Sequence, residues 1–159
     1  MIVAFLVAAL SIVGTKLSTQ NLSDEHRIFP ADIAENRAVI VLTFSKTASD
    51  QATEWTRKLR ENEQKLAAGI YQVAVLEEVP ALFRSFVISA LKRSIPKNLH
   101  RNFWIAVSSS KEWQERTGSA SLDEPQVFLL QDRSQIVWRV SGAFSDANLS
   151  ALLALVAHH

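Results

Sequence analysis

The chain has no cysteine in its 159 residues. That absence excludes disulfides, thiolate nucleophiles, iron–sulfur clusters and zinc–thiolate sites, and it does not discriminate between compartments. Glycine is scarce. Gly14, Gly69, Gly118 and Gly142 lie at least 24 positions apart, so no phosphate-cradling glycine loop can be written. His158 and His159 end the chain; His26 and His100 remain, with no ligand spacing around either, and neither a metal nor a cofactor is expected. The formal net charge is +1, so no global field invites nucleic acid. No apolar run reaches the roughly 20 residues of a membrane span.

What is present describes one folded domain: 48% of residues are apolar and 21% charged. Residues 2–13 are apolar except for Ser11 and match the core of a secretory signal. Residues 1–14 are therefore read as a signal peptide or apolar N-terminal segment, 15–27 as a polar linker, and 28–159 as the domain. Export to the periplasm or beyond is favoured; a buried N-terminal strand or helix and a cytoplasmic place stay open.

Residues 38–44 form an apolar, β-branched run, the signature of a central strand buried on both faces. A helix follows, with Ala48, Ala52, Trp55, Leu59 and Leu66 on one face and Thr47 or Ser49 as its cap; Gly69 ends it. Residues 70–76 read as the second strand. Pro80 opens a helix to about Ser94, with Leu82, Phe83, Phe86, Val87, Ala90 and Leu91 on one stripe. A third strand spans 103–107, and a short helix 110–117. Strands at 126–131 and 136–141 flank an Asp132-Arg-Ser-Gln turn. A helix at 146–157 closes the chain. The βαβ units imply parallel strands and the hairpin adds antiparallel ones. The class is α/β: a three-layer α/β/α sandwich with a mixed central sheet.

The segments Glu112-Trp-Gln-Glu-Arg-Thr-Gly118 and Asp123-Glu-Pro-Gln-Val-Phe-Leu-Leu-Gln-Asp-Arg-Ser-Gln-Ile-Val-Trp-Arg-Val-Ser-Gly142, followed by the terminal helix, resemble the carboxy-terminal third of periplasmic thioredoxin-like (TlpA-type) proteins. The resemblance spans roughly residues 28–156 and implies a thioredoxin-like fold carrying a helix-plus-strand insert. It puts Pro125 at the family's cis-proline station, so a cis Glu124–Pro125 bond is expected, with Ser49 across a small cleft. The family's Cys-x-x-Cys pair belongs at the start of the first long helix; Ser49 and Ala52 are expected near those two places. A serine and an alanine support neither dithiol exchange nor peroxide reduction. The stretches 71–80 and 128–139 resemble, more narrowly, the cysteine-poor thioredoxin-fold assembly factors of the mitochondrial ATP synthase and their bacterial relatives.

The resemblance implies a non-catalytic, protein-binding role of assembly-factor or chaperone type, with Ser49, Glu124 and Pro125 lining the docking cleft. Against it stands a cysteine-independent enzyme of hydrolase type using Ser49, His100 and Asp123; a structural subunit of a larger complex is a third reading. No Gly-x-Ser-x-Gly elbow supports the enzyme. One local feature remains. From residue 79 to 111 there is no Asp or Glu, while Arg84, Lys92, Arg93, Lys97, Arg101 and Lys111 lie there. The rest of the chain, which carries all 16 acidic residues, is net negative. Such a segment suits an acidic partner protein or an anionic membrane surface. The alternative is a solvated rim around a helix covering the sheet.

Overall fold

The computed structural model describes residues 9–158. The N-terminal part is β1 (Leu10–Ser11), β2 (Leu17–Asn21) and β3 (His26–Phe29). The body begins with β4 (Arg37–Thr43), α1 (Lys46–Glu61), α2 (Glu63–Leu66) and β5 (Gly69–Val75). An insert follows: α3 (Ala81–Ser94), a 3-10 helix (Lys97–Asn102) and β6 (Phe103–Ala106). Then come α4 (Ser110–Thr117), β7 (Gln126–Gln131), β8 (Gln135–Ser141) and α5 (Asp146–Ala157).

All eight strands join one sheet in the order β1-β8-β7-β4-β5-β6-β2-β3. β4 pairs parallel with β5 and β5 with β6, whereas β7 runs antiparallel to β4. The mixed sheet and the helix-plus-strand insert are as expected. β4 is central because Ala38 to Leu42 are apolar on both sides of the pleat. Its alternate residues divide the core in two. Ile40 and Leu42 join Tyr71, Val73, Trp104, Phe128 and Trp113 of α4. Val39 and Val41 join Trp55 and Leu59 of α1, Leu129, and Leu149 and Leu152 of α5. The Trp55 indole N–H also donates to the Gly142 carbonyl at 2.9 Å, tying α1 to the end of β8.

Residues 15–27, expected as a linker, instead contain β2 and the start of β3. This hairpin extends the sheet beyond β6, with Gln20 opposite Ile105. Its acidic turn is built on Asn21, whose Oδ1 accepts the backbone N–H groups of Ser23 and Glu25 at 2.9 and 3.0 Å. The fold also reaches back beyond residue 15, because Leu10 pairs with Ile136 and Ile12 is buried in the core. The first eight residues of the expected signal segment lie outside the described residues. Among the described residues the cis peptide bond is Phe29–Pro30. Glu124–Pro125 is trans, contrary to expectation. Trans is the favoured form by about 0.5–1 kcal/mol, and in it the Pro125 carbonyl accepts from Gly142 N–H at 3.0 Å, opening the β7–β8 ladder.

Candidate functional site

The first turn of α1 is built differently from the sequence expectation. Ser45, not Thr47 or Ser49, is the cap: its backbone is extended and its Oγ accepts from Ala48 N–H at 3.2 Å. The residues three apart at the helix start are therefore Ser45 and Ala48. Ser49 lies a turn further on, and its hydroxyl donates to Thr43 Oγ1 at 3.3 Å. Ala52 is fully buried in the core.

Ser49 lines a groove of about 890 Å3 between α1 and α3. Gln72 and Ala74 of β5 and Phe103 of β6 are among its lining residues, and lie between the two helices. One wall is the polar face of α1: Ser49, Thr53, Thr56 and Arg60, spaced four, three and four apart, which is one helical stripe. The other wall is Val87, Ala90, Leu91 and Ser94 of α3. Arg60 is half-buried and makes no ion pair or side-chain hydrogen bond among the described residues. Burial, opposed by the nearby Glu63 carboxylate, lowers its pKa from the ordinary arginine value.

The groove exists because α3 stands away from the sheet. None of its side chains is fully buried. Ile88, Leu91 and Ile95 pack against Leu22, Ala74, Phe103 and Ile105. At about 100° per residue, Leu82 and Phe86 fall on the far side of that contact. Leu82, Phe83 and Phe86 are 77%, 52% and 71% exposed. The Leu82, Phe83 and Phe86 part of the stripe that the sequence offered as the sheet-covering face thus points outward, because the helix is apolar on two sides and packs by Ile88 and Leu91, with Ile95 just past its end.

The other expected site residues separate. His100 is buried, with Nε2 2.8 Å from the Ile95 carbonyl oxygen, and Asp123 is exposed in the loop before β7. Neither lines the groove with Ser49, so the Ser49–His100–Asp123 constellation is not assembled. Pro125 is buried and Glu124 exposed, and neither borders the groove. The basic segment is not one free face either. Lys92 bridges Asp24 at 2.7 Å and Arg101 reaches Glu25 at 3.7 Å, both in the β2–β3 turn. The hydrogen bond and charge of Lys92 hold the Asp24 pKa below the ordinary carboxylate value; the Asn21 amide, then Arg27 and Arg101, do the same for Glu25. Arg84 is half-buried and donates to the Val79 carbonyl at 3.0 Å. Arg93 and Lys97 are exposed and unpaired among the described residues. Sequence reasoning missed Thr53, Thr56, Arg60 and Gln72; the only signal for the first three was an uncharged polar stripe on α1 ending in an arginine, and Gln72 of β5 was the one polar residue in an otherwise apolar strand.

Neither a protein-family model nor a curated protein matches the sequence. Solved structures do. A SCO1/SenC family lipoprotein from Bacillus anthracis superposes with a TM-score of 0.61 at 12% identity, over 89% of this chain and 93% of that one. The exposed lipoprotein thioredoxin of Streptococcus pneumoniae gives 0.57 at 10% identity, over 88% and 98%. BsSco, of the Sco family of cytochrome c oxidase assembly proteins, gives 0.57 at 10% identity, over 90% of each chain. At these identities the likeness is one of fold alone: the chain has a thioredoxin-like fold in which the start of the first long helix carries Ser45 and Ala48, and the sequence has no cysteine.

Proposed function

We propose that this is a non-catalytic thioredoxin-fold protein that docks a partner protein on the outward face of α3, in an assembly-factor or chaperone-like role. The observation that carries the reading is the exposure of Leu82, Phe83 and Phe86 within little more than one turn. An apolar cluster of that size is costly to leave in water and marks an interaction surface. Arg93 and Lys97, exposed further along the same insert, favour an acidic rim on the partner. The absence of cysteine supports a role without thiol chemistry. That two structural neighbours are named as lipoproteins, and that residues 2–13 are so apolar, supports an exported protein working on a membrane-associated partner. Among the described residues no helix is long and apolar enough to cross a membrane.

The test is co-purification from the native host with wild-type protein and the L82S/F86S variant. The expected result is a partner recovered with wild type and lost with the variant, while the melting temperature holds. Recovery of the same proteins with both would contradict the reading.

A further inference from the structure

The groove between α1 and α3 is separate from the docking face: Leu82, Phe83 and Phe86 do not line it. Its volume of about 890 Å3 lies within the range of small-molecule sites. Most of its lining is apolar: Phe44, Val75, Val87, Leu91, Ile95 and Phe103 among others. Three of the polar side chains it contains are uncommitted among the described residues: Arg60 and Glu78 have no ion pair, and the Gln72 side-chain amide makes no hydrogen bond. Lys46 and Asp50, by contrast, satisfy each other at 3.3 Å. Glu63 acts on the Arg60 guanidinium through space without forming an ion pair, and of the carboxylates lining the groove Asp50 is held by Lys46 and Glu78 follows β5. A half-buried guanidinium without an ion pair beside an apolar trough suits a ligand that is anionic at one end and apolar along its length.

We propose that the groove binds a monomeric anionic amphiphile, an acyl chain bearing a carboxylate, with the carboxylate on Arg60 and the chain lying between the helices toward Ser49. Ser49 and Arg60 are eleven residues apart, about 16 Å along the helix, a span comparable to extended dodecanoate. An extended peptide suits the groove less. β5, beneath it, is paired on both edges with β4 and β6, so a peptide backbone would find no strand edge to bond. A hydrocarbon chain carries no such groups.

The test is calorimetric titration with dodecanoate below its aggregation concentration, with dodecyltrimethylammonium as the oppositely charged control. Wild type is expected to bind one dodecanoate per chain saturably and the ammonium far more weakly. R60Q should weaken dodecanoate about tenfold or more, the worth of a charge-assisted hydrogen bond. A90W, which fills the groove from α3, should abolish it, while L82S/F86S leaves it unchanged; circular dichroism checks that each variant is folded. The proposal is overturned if wild type shows no saturable binding, if folded R60Q binds as wild type does, or if the two amphiphiles bind alike. Loss of binding in L82S/F86S with retention in A90W would also overturn it, by moving the ligand to the outer face of α3. None of these outcomes bears on the partner protein, which is read by co-purification.

Discussion

Ser45 and Ser49 stand four positions apart and differ in consequence. Ser45 Oγ satisfies an N–H that the first turn of α1 would otherwise leave open; Ser49 only touches Thr43. Ser45→Ala should therefore cost about 1 kcal/mol in urea unfolding, and Ser49→Ala less than about 0.5 kcal/mol. The reverse order would restore Ser49 as the cap. The sequence offered Thr47 and Ser49 because Thr47 and Asp50 have capping-box spacing; the tie was broken by where β4 ends, which propensity does not encode. Tyr71, the only tyrosine, supplies a second residue-scale prediction. Its hydroxyl donates to Glu35 Oε2 at 2.7 Å, and burial, then that hydrogen bond, pushes its pKa up to about 12. A raised tyrosine pKa means that the neutral form is favoured in the fold. The stabilisation is complete below the ordinary value of about 10 and is lost as pH climbs toward 12. Ultraviolet titration of the native protein should show its single phenol ionising near pH 12, and Tyr71→Phe should flatten the stability loss above pH 10. A phenol titrating near 10 in the folded protein would contradict this account.

Among the elements, α3 and the β2–β3 hairpin are the informative pair. The hairpin was illegible because two of the three inward positions of β2 are polar: Leu17, Thr19 and Asn21 are buried while Ser18 and Gln20 are exposed. The alternation is real, but only one of its members is aliphatic. Thr19 and Asn21 are satisfied by hydrogen bonds to Arg27 and Glu25, which a single sequence cannot display. The basic segment was legible as a charge imbalance, yet its partners lay in the stretch read as a linker. The Asp24–Lys92 bridge joins the hairpin to α3. A double-mutant cycle with Asp24→Asn and Lys92→Gln should show a small favourable coupling that fades at high salt. Zero coupling at low salt would contradict this and leave α3 held mainly by the apolar packing of Ile88, Leu91 and Ile95.

For the molecule as a whole, the parts read correctly were those whose environment is uniform. β4 is apolar on both faces, and the β7–β8 hairpin announces itself by two apolar runs flanking a polar turn; Asp132 and Arg133 there take the positive φ values such turns need. The groove was not legible. It is a gap between two helices, set by how far α3 stands off the sheet, and no local pattern records a distance. Ser49 borders this groove, whereas Pro125 does not. The absence of cysteine excludes thiol chemistry, and the docking reading rests on the outward face of α3, where Leu82, Phe83 and Phe86 are exposed. The most direct measurement is a photo-crosslinking residue placed at Phe86, compared with the same residue at exposed Glu115 on α4, which packs on the other face of the sheet. In the native host, position 86 should give one discrete protein adduct that L82S removes, and position 115 none. No adduct at 86, or the same adducts at both positions, would contradict the account.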